Sequence, residues 1–307
     1  MPMNFLEQAR LGKNNAFSYI ATMALLFATV IGFGQLPYVF GLLGAGVPID
    51  KIDEFDSTEG MQLLGTNLFL TLQLIPFIML LLALLFCLVR LHQRPLLSIF
   101  TARTSFDLKR VFVSFAIWFG LLLLLLLISV GFGADITWNI KPSTFWMLLA
   151  ISLFILPLQT TFEEVFFRGY LIQGFQLPFK RGIISILVSG FLFGILHMAN
   201  PEVALLGKVV LLYYILTGVF VGVLTVMDNG LELGIGFHAA NNIFGCLILT
   251  NNWQVFQTDA VWKDMSAPSI GWDIWITLFV VYPFLLVLYS KIYKWKSFKS
   301  VLLEVHK

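Results

Sequence analysis

Long apolar runs, each interrupted by a short polar stretch, repeat along the whole chain. Runs of about 17 to 25 residues match the ~30 Å hydrocarbon thickness of a bilayer when coiled as helices. Eight such runs are read, near 17-40, 68-89, 111-133, 145-167, 183-200, 204-227, 233-250 and 274-290. The pattern predicts an all-α fold, a polytopic membrane helical bundle of about eight transmembrane helices. Arg10 and Lys13 precede the first run as they would a secretory signal. That run exceeds a signal's usual apolar core of 7 to 15 residues and shows no small-residue cleavage site, so it is expected to be retained.

Polar residues in the connections set the expected orientation. Arg90, Arg94, Arg103, Lys109 and Arg110 follow the second run, Lys180 and Arg181 the fourth, and Lys291, Lys294, Lys296, Lys299 and Lys307 the eighth. Basic loops stay on the cytoplasmic side, which places both termini in the cytoplasm. The first loop carries Asp50, Asp53, Glu54, Asp56 and Glu59 against Lys51 and is expected to face outward as a solvated acidic surface. Tyr293, Trp295 and Phe298 interleave with the tail lysines, a pattern suited to anchoring at an anionic leaflet.

Composition sharpens the class. With 59% hydrophobic and 12% charged residues, 31 Phe and a mean hydropathy of +0.89, an ordinary soluble domain is excluded. The net charge of +2 is spread over short loops, so nucleic acid is not expected as a partner. Cys87 and Cys246 lie in apolar stretches without metal-ligand spacing and read as core residues. No linker divides the chain. Residues 1-140 form N-terminal transmembrane helices without a buried charge constellation, 141-250 carry every such constellation, and 251-307 hold the last span and the basic tail.

Three polar insertions interrupt the apolar runs of that middle region. The first is Glu163-Glu164-Val165-Phe166-Phe167-Arg168. A charge at mid-bilayer costs roughly 2.5 to 3.5 kcal/mol on insertion scales, so such a cluster points to function. Glu164 and Arg168, four apart, share a helix face, while Glu163 points about 100° away. The simplest assignment pairs Glu164 with Arg168 as support and leaves Glu163 as the general base. The second insertion ends an apolar helix at His197, one turn after Phe193, with Gly190 and Gly194 spaced for close helix approach. A turn at 178-182 would bring Glu163 and His197 to one level, where they can bind the same water. In the third, His238 and Asn242 share a face and can donate to a developing oxyanion, with one donor worth roughly 2.7 to 4 kcal/mol. Asn241 lies off that face, and Gly230, Gly234 and Gly236 before it suggest tight packing.

In this order the three motifs resemble those of the CPBP or Abi family, the intramembrane CAAX-type endopeptidases that include the Ras-converting prenyl-protein protease and bacteriocin-immunity relatives. The resemblance rests on EExxxR (Glu163, Glu164, Arg168), FxxxH (Phe193, His197) and HxxxN (His238, Asn242), trailed by Gly169-Tyr170-Leu171, and covers roughly 145-250. It implies an integral protein of a bacterial plasma membrane that cleaves a peptide bond in a membrane-associated or lipidated substrate. Glu163 and His197 would activate a water, and His238 and Asn242 would hold the oxyanion. The motifs contain no Ser or Cys, so a covalent intermediate is not expected. Glu163, His197 and His238 are also the candidate ligands of a Zn²⁺ ion, but the HExxH helix is absent and metal-free water activation is favoured. The alternatives are a binding or immunity protein using the same cavity without cleavage, and a proton-coupled transporter. A transporter would carry paired broken helices in both halves, whereas the polar cluster occupies one half.

Overall fold

In the computed structural model, which describes residues 3–303, the apolar runs become helices that alternate in direction across one bundle. Lys307, the last lysine of the tail, lies outside the described residues. Among the described residues six helices are long and apolar enough to cross a membrane: α1 (Ala16–Gly44), α2 (Thr66–Arg90), α3 (Leu108–Gly131), α4 (Pro142–Phe179), α6 (Lys208–Asp228) and α8 (Trp272–Tyr293). A shorter apolar helix, α5 (Gly182–Leu196), lies between α4 and α6. The eighth, α7 (Glu232–Ile243), runs on through a π-helical turn to Ile248. The polytopic helical membrane bundle is therefore present, with two of the eight expected spans reduced to shorter helices.

Two boundaries differ from expectation, and both shape the polar centre. The run near 145-167 belongs to a helix of 38 residues that continues through Gly169 and Gly174 to Phe179. Without water to compete for backbone hydrogen bonds, glycine does not end a helix at membrane depth. Two π-helical stretches, Ile151–Ile155 and Val165–Leu171, lie within it. The first absorbs the missing N–H of Pro157, and the second follows directly on the two glutamates. The run near 183-200 is cut short instead. Asn200 precedes Pro201 and is extended (φ −67°, ψ 142°), as a residue before proline prefers, so α5 stops at Leu196 and His197 sits in the turn beyond it.

Close backbone contact holds the motif helices together. A methyl group on Gly190 would lie 2.8 Å from the Val219 nitrogen, so α5 and α6 meet backbone to backbone. On α7, a methyl group on Gly236 would lie 2.1 Å from the Val111 carbonyl oxygen of α3. Gly236→Ala is expected to cost about 1 to 3 kcal/mol through overpacking, read as a lower unfolding midpoint of the detergent-purified protein. An unchanged midpoint would mean that α3 and α7 are not seated this closely.

The end of the bundle opposite the basic loops is closed by a small sheet that the all-helical expectation does not contain. Strands β1 (Ile136–Trp138), β2 (Leu249–Thr250) and β3 (Trp262–Asp264) pair in the order β1-β3-β2, antiparallel then parallel. Beside it Asp259 receives Lys141 Nζ at 2.7 Å on Oδ1, and the Thr66 and Thr144 hydroxyls at 3.2 and 2.9 Å on Oδ2, which joins the starts of α2 and α4. Partial burial alone would raise the Asp259 carboxyl, but the hydrogen bonds and charge of Lys141 together with the two threonines hold it below its ordinary value of 3.8. A carboxyl depressed in the folded state stabilises above its unfolded value and loses that contribution as pH falls through the folded one. The unfolding midpoint is thus expected to fall more steeply as pH drops below 3.8 in the wild type than in Asp259→Asn; parallel curves would remove Asp259 from the acid response.

Candidate active site

Glu163, Glu164 and Arg168 lie on α4, spanning its straight part and the start of the second π-helical stretch. All three are buried, at 8%, 0% and 1% exposure, so their charges are met by protein rather than by water. Arg168 Nη1 donates to Glu164 Oε1 at 3.1 Å, the expected i,i+4 pair. The same guanidinium lies over the Phe193 ring, 4.3 Å from its centroid, where the π face adds to its stabilisation.

His238 completes the cluster from α7. Its Nδ1 donates to Glu164 Oε1 at 2.7 Å, and its Nε2 stands 3.5 Å from Glu163 Oε2. One imidazole therefore bridges the two glutamates that the α4 backbone points in different directions. Glu163 Oε1 accepts from Gln159 Nε2 at 2.6 Å, while Oε2 is buried and has no hydrogen-bond partner among the described residues. Two carboxylates face one guanidinium here, and the His238 ring lies between them.

Asn242 reaches the cluster through Gln159. Its Nδ2 donates to Gln159 Oε1 at 3.1 Å, so Asn242, Gln159 and Glu163 form one chain of amide and carboxylate groups. A carboxamide carries two N–H donors, and one remains for a further acceptor. Asn241, off this face, accepts from Trp118 Nε1 at 3.3 Å and donates to Asn242 Oδ1 at 3.3 Å, which orients the catalytic-candidate amide.

His197 is placed differently from the expectation. Phe167 and Phe193, equidistant in sequence from Lys180, meet ring to ring at 5.1 Å, so the α4–α5 hairpin has the symmetric register. Yet Glu163 contacts His238, and His197 is linked to the cluster through Phe193, whose ring is 4.4 Å from His197 and 6.2 Å from His238. His197 Nδ1 lies 2.7 Å from the Phe193 carbonyl, an acceptor only, so Nδ1 carries a proton and donates it there. The other face of the ring stacks on Tyr214 at 4.3 Å.

The donor set does not fit a zinc ion. Glu163, His197 and His238 do not converge, and among the described residues no three His, Cys, Asp or Glu side chains group as metal ligands. One nitrogen of His238 is already committed to Glu164. Sequence reasoning missed Gln159, Tyr214 and Glu202. Gln159 was within reach, being one helical turn before Glu163 on the same face.

Comparison with known proteins places a family match over this region. Residues 142–244 match the family model described as Type II CAAX prenyl endopeptidase Rce1-like. The chain is similar to the uncharacterized protein YyaK of Bacillus subtilis (strain 168), 32% identical over 166 residues, which are 53% of this chain and 56% of YyaK. The chain thus spans little more than half the length of that curated relative. No solved structure matches it.

Proposed function

We propose, from the match of residues 142–244 to the Rce1-like family model and from the buried cluster, that the chain is an intramembrane endopeptidase working through a glutamate-activated water. The observation that carries the reading is the Glu163 carboxylate, with one oxygen fixed by Gln159 and the other buried beside His238 without a hydrogen bond among the described residues. A carboxylate oxygen in that state holds a water and accepts its proton.

In the proposed reaction the water on Glu163 Oε2 attacks the scissile carbonyl carbon as its proton passes to Glu163. In this step His238, through Nε2, and the second N–H of Asn242 donate to the oxyanion. When the C–N bond breaks, Glu163 returns the proton to the leaving amine. His197 is linked to this centre through Phe193, and its share in activating the water is the part of the proposal that His197→Ala tests. Glu164 and Arg168 hold the His238 ring in place, and Phe193 spaces the two histidines. Substrates are membrane-associated or lipidated proteins or peptides, and both termini lie on the cytoplasmic side, where the basic loops place them.

The test compares membrane peptides and their new C-termini from cells carrying the wild type, Glu163→Gln or His197→Ala at matched levels. Fragments present in the wild type alone are expected. Three identical proteomes, in cells where the wild type still confers a phenotype, would replace the protease with a binding or immunity protein.

A further inference from the structure

A second polar constellation lies beside His197, at the end of the bundle opposite the basic loops, and the proposed reaction makes no use of it. It centres on Glu202, in the short helix Pro201–Leu206 between α5 and α6. Glu202 is 4% exposed. Its Oε1 accepts from Asn200 Nδ2 at 3.1 Å and from the Tyr214 hydroxyl, while Oε2 is buried without a partner among the described residues. Tyr214 is the residue whose ring stacks on His197, so this carboxylate is one side chain removed from the candidate catalytic histidine.

Glu202 lines a cavity of about 200 Å³, together with Tyr213, Tyr214, Trp253, Asp273 and Thr277 among others. Two features of the lining define its chemistry. Its two carboxylic acids are Glu202 and Asp273, and among the described residues no Lys, Arg or His lines it. The Trp253 indole Nε1 is likewise buried and without an acceptor among the described residues. The Trp253 backbone is fixed in place, since Asn251 Oδ1 accepts from the backbone N–H groups of Trp253 and Gln254 at 3.0 and 2.8 Å. An orphaned carboxylate calls for a cationic donor, and an orphaned indole N–H calls for a carbonyl acceptor. Aromatic walls around an acid favour an organic cation over a bare one. The donor set also argues against a metal ion, since no group of three candidate ligands forms among the described residues.

We propose that this cavity is a subsite for a lysine or arginine side chain of the peptide substrate. The cation is held on Glu202 Oε2, its aliphatic stem lies against Tyr213 and Tyr214, and a backbone carbonyl of the peptide accepts from Trp253 Nε1. This makes Glu202 a specificity-determining residue near the site of cleavage. The proposal rests on the endopeptidase reading, but its binding step is measurable without cleavage.

The binding experiment uses the detergent-purified full chain carrying Glu163→Gln, so that no probe is consumed. Tryptophan emission is followed on titration with acetyl-Ala-Ala-Lys-Ala-Ala-amide and with the same peptide acetylated on the lysine Nε. A saturable change with the lysine peptide alone is expected, weakened at least tenfold by adding Glu202→Gln and largely lost with Trp253→Phe. Equal responses to the two peptides, no response to either, or a response indifferent to Glu202→Gln would each overturn the subsite. A second measurement maps cleavage sites of the protein with intact Glu163 in a mixed peptide library. The expected result is a preference for Lys or Arg at one fixed position from the cut, reduced at least tenfold relative to neutral sites by Glu202→Gln. Cleavage dependent on Glu163 without that preference would sink the subsite and leave the protease standing. Lysine binding dependent on Glu202, in a protein with no cleavage dependent on Glu163, would do the reverse.

Discussion

Glu163→Gln is expected to lower the rate of peptide-bond cleavage by at least a hundredfold and up to about ten thousandfold, the range in which a positioned general base contributes. The substitution keeps the shape of the side chain and its contact with Gln159, which offers both a donor and an acceptor to the new amide. It removes the one function that an amide lacks, the uptake of a proton from water. Folding should not suffer, because the oxygen replaced is buried without a hydrogen bond and carries charge in a medium that penalises it. The measurement is the single-turnover rate on a peptide identified by the proteomic comparison, paired with the unfolding midpoint. A rate within tenfold of the wild type would remove Glu163 from the role of base. A collapse of the midpoint together with the rate would make it a structural residue instead.

Much of the molecule was legible because membrane helices obey simple length and polarity rules. The span near 68-89 became Thr66–Arg90, and the span near 111-133 became Leu108–Gly131, since an apolar run in lipid has no other way to satisfy its backbone. The misread boundaries lie where hydropathy is silent. Nothing in the apolarity of 183-200 marks the stop at Leu196; the conformational restriction of Asn200 by Pro201 does. Strands of two or three residues, such as Leu249–Thr250 and Trp262–Asp264, are too short to show a period of two. In the site, the Glu164–Arg168 contact followed from helical spacing alone. The contact of Glu163 with His238 rather than His197 did not, because it depends on how α7 is rotated against α4, and tertiary packing sets that. Gln159 and Glu202 escaped notice for opposite reasons. One has no charge to draw attention on an apolar helix, and the other sits in a connecting stretch where an acid is ordinarily solvated.

Arg168→Met should show how far the cluster is a single electrostatic unit. The guanidinium, 1% exposed, is a fixed positive charge facing two buried carboxylates, and it contacts Glu164 Oε1 at 3.1 Å. Deleting one member of a buried ion pair leaves the other charge uncompensated and typically costs about 3 to 5 kcal/mol. Methionine fills much of the volume over Phe193, so the loss is electrostatic rather than a cavity. The variant is expected to unfold at a clearly lower temperature, and to lose cleavage as well, because Glu164 also positions His238 through the 2.7 Å bond to Nδ1. Adding Glu164→Gln removes the stranded charge. The double variant should therefore regain most of the lost stability, as replacing both partners of a buried pair is often close to neutral. It should not regain full activity, since a neutral amide holds the imidazole less firmly than a carboxylate. Equal heat stability of wild type and Arg168→Met would refute the supporting role of the arginine. Recovery of stability and cleavage together in the double variant would show that Glu164 serves Arg168 alone, and that His238 needs no carboxylate behind it.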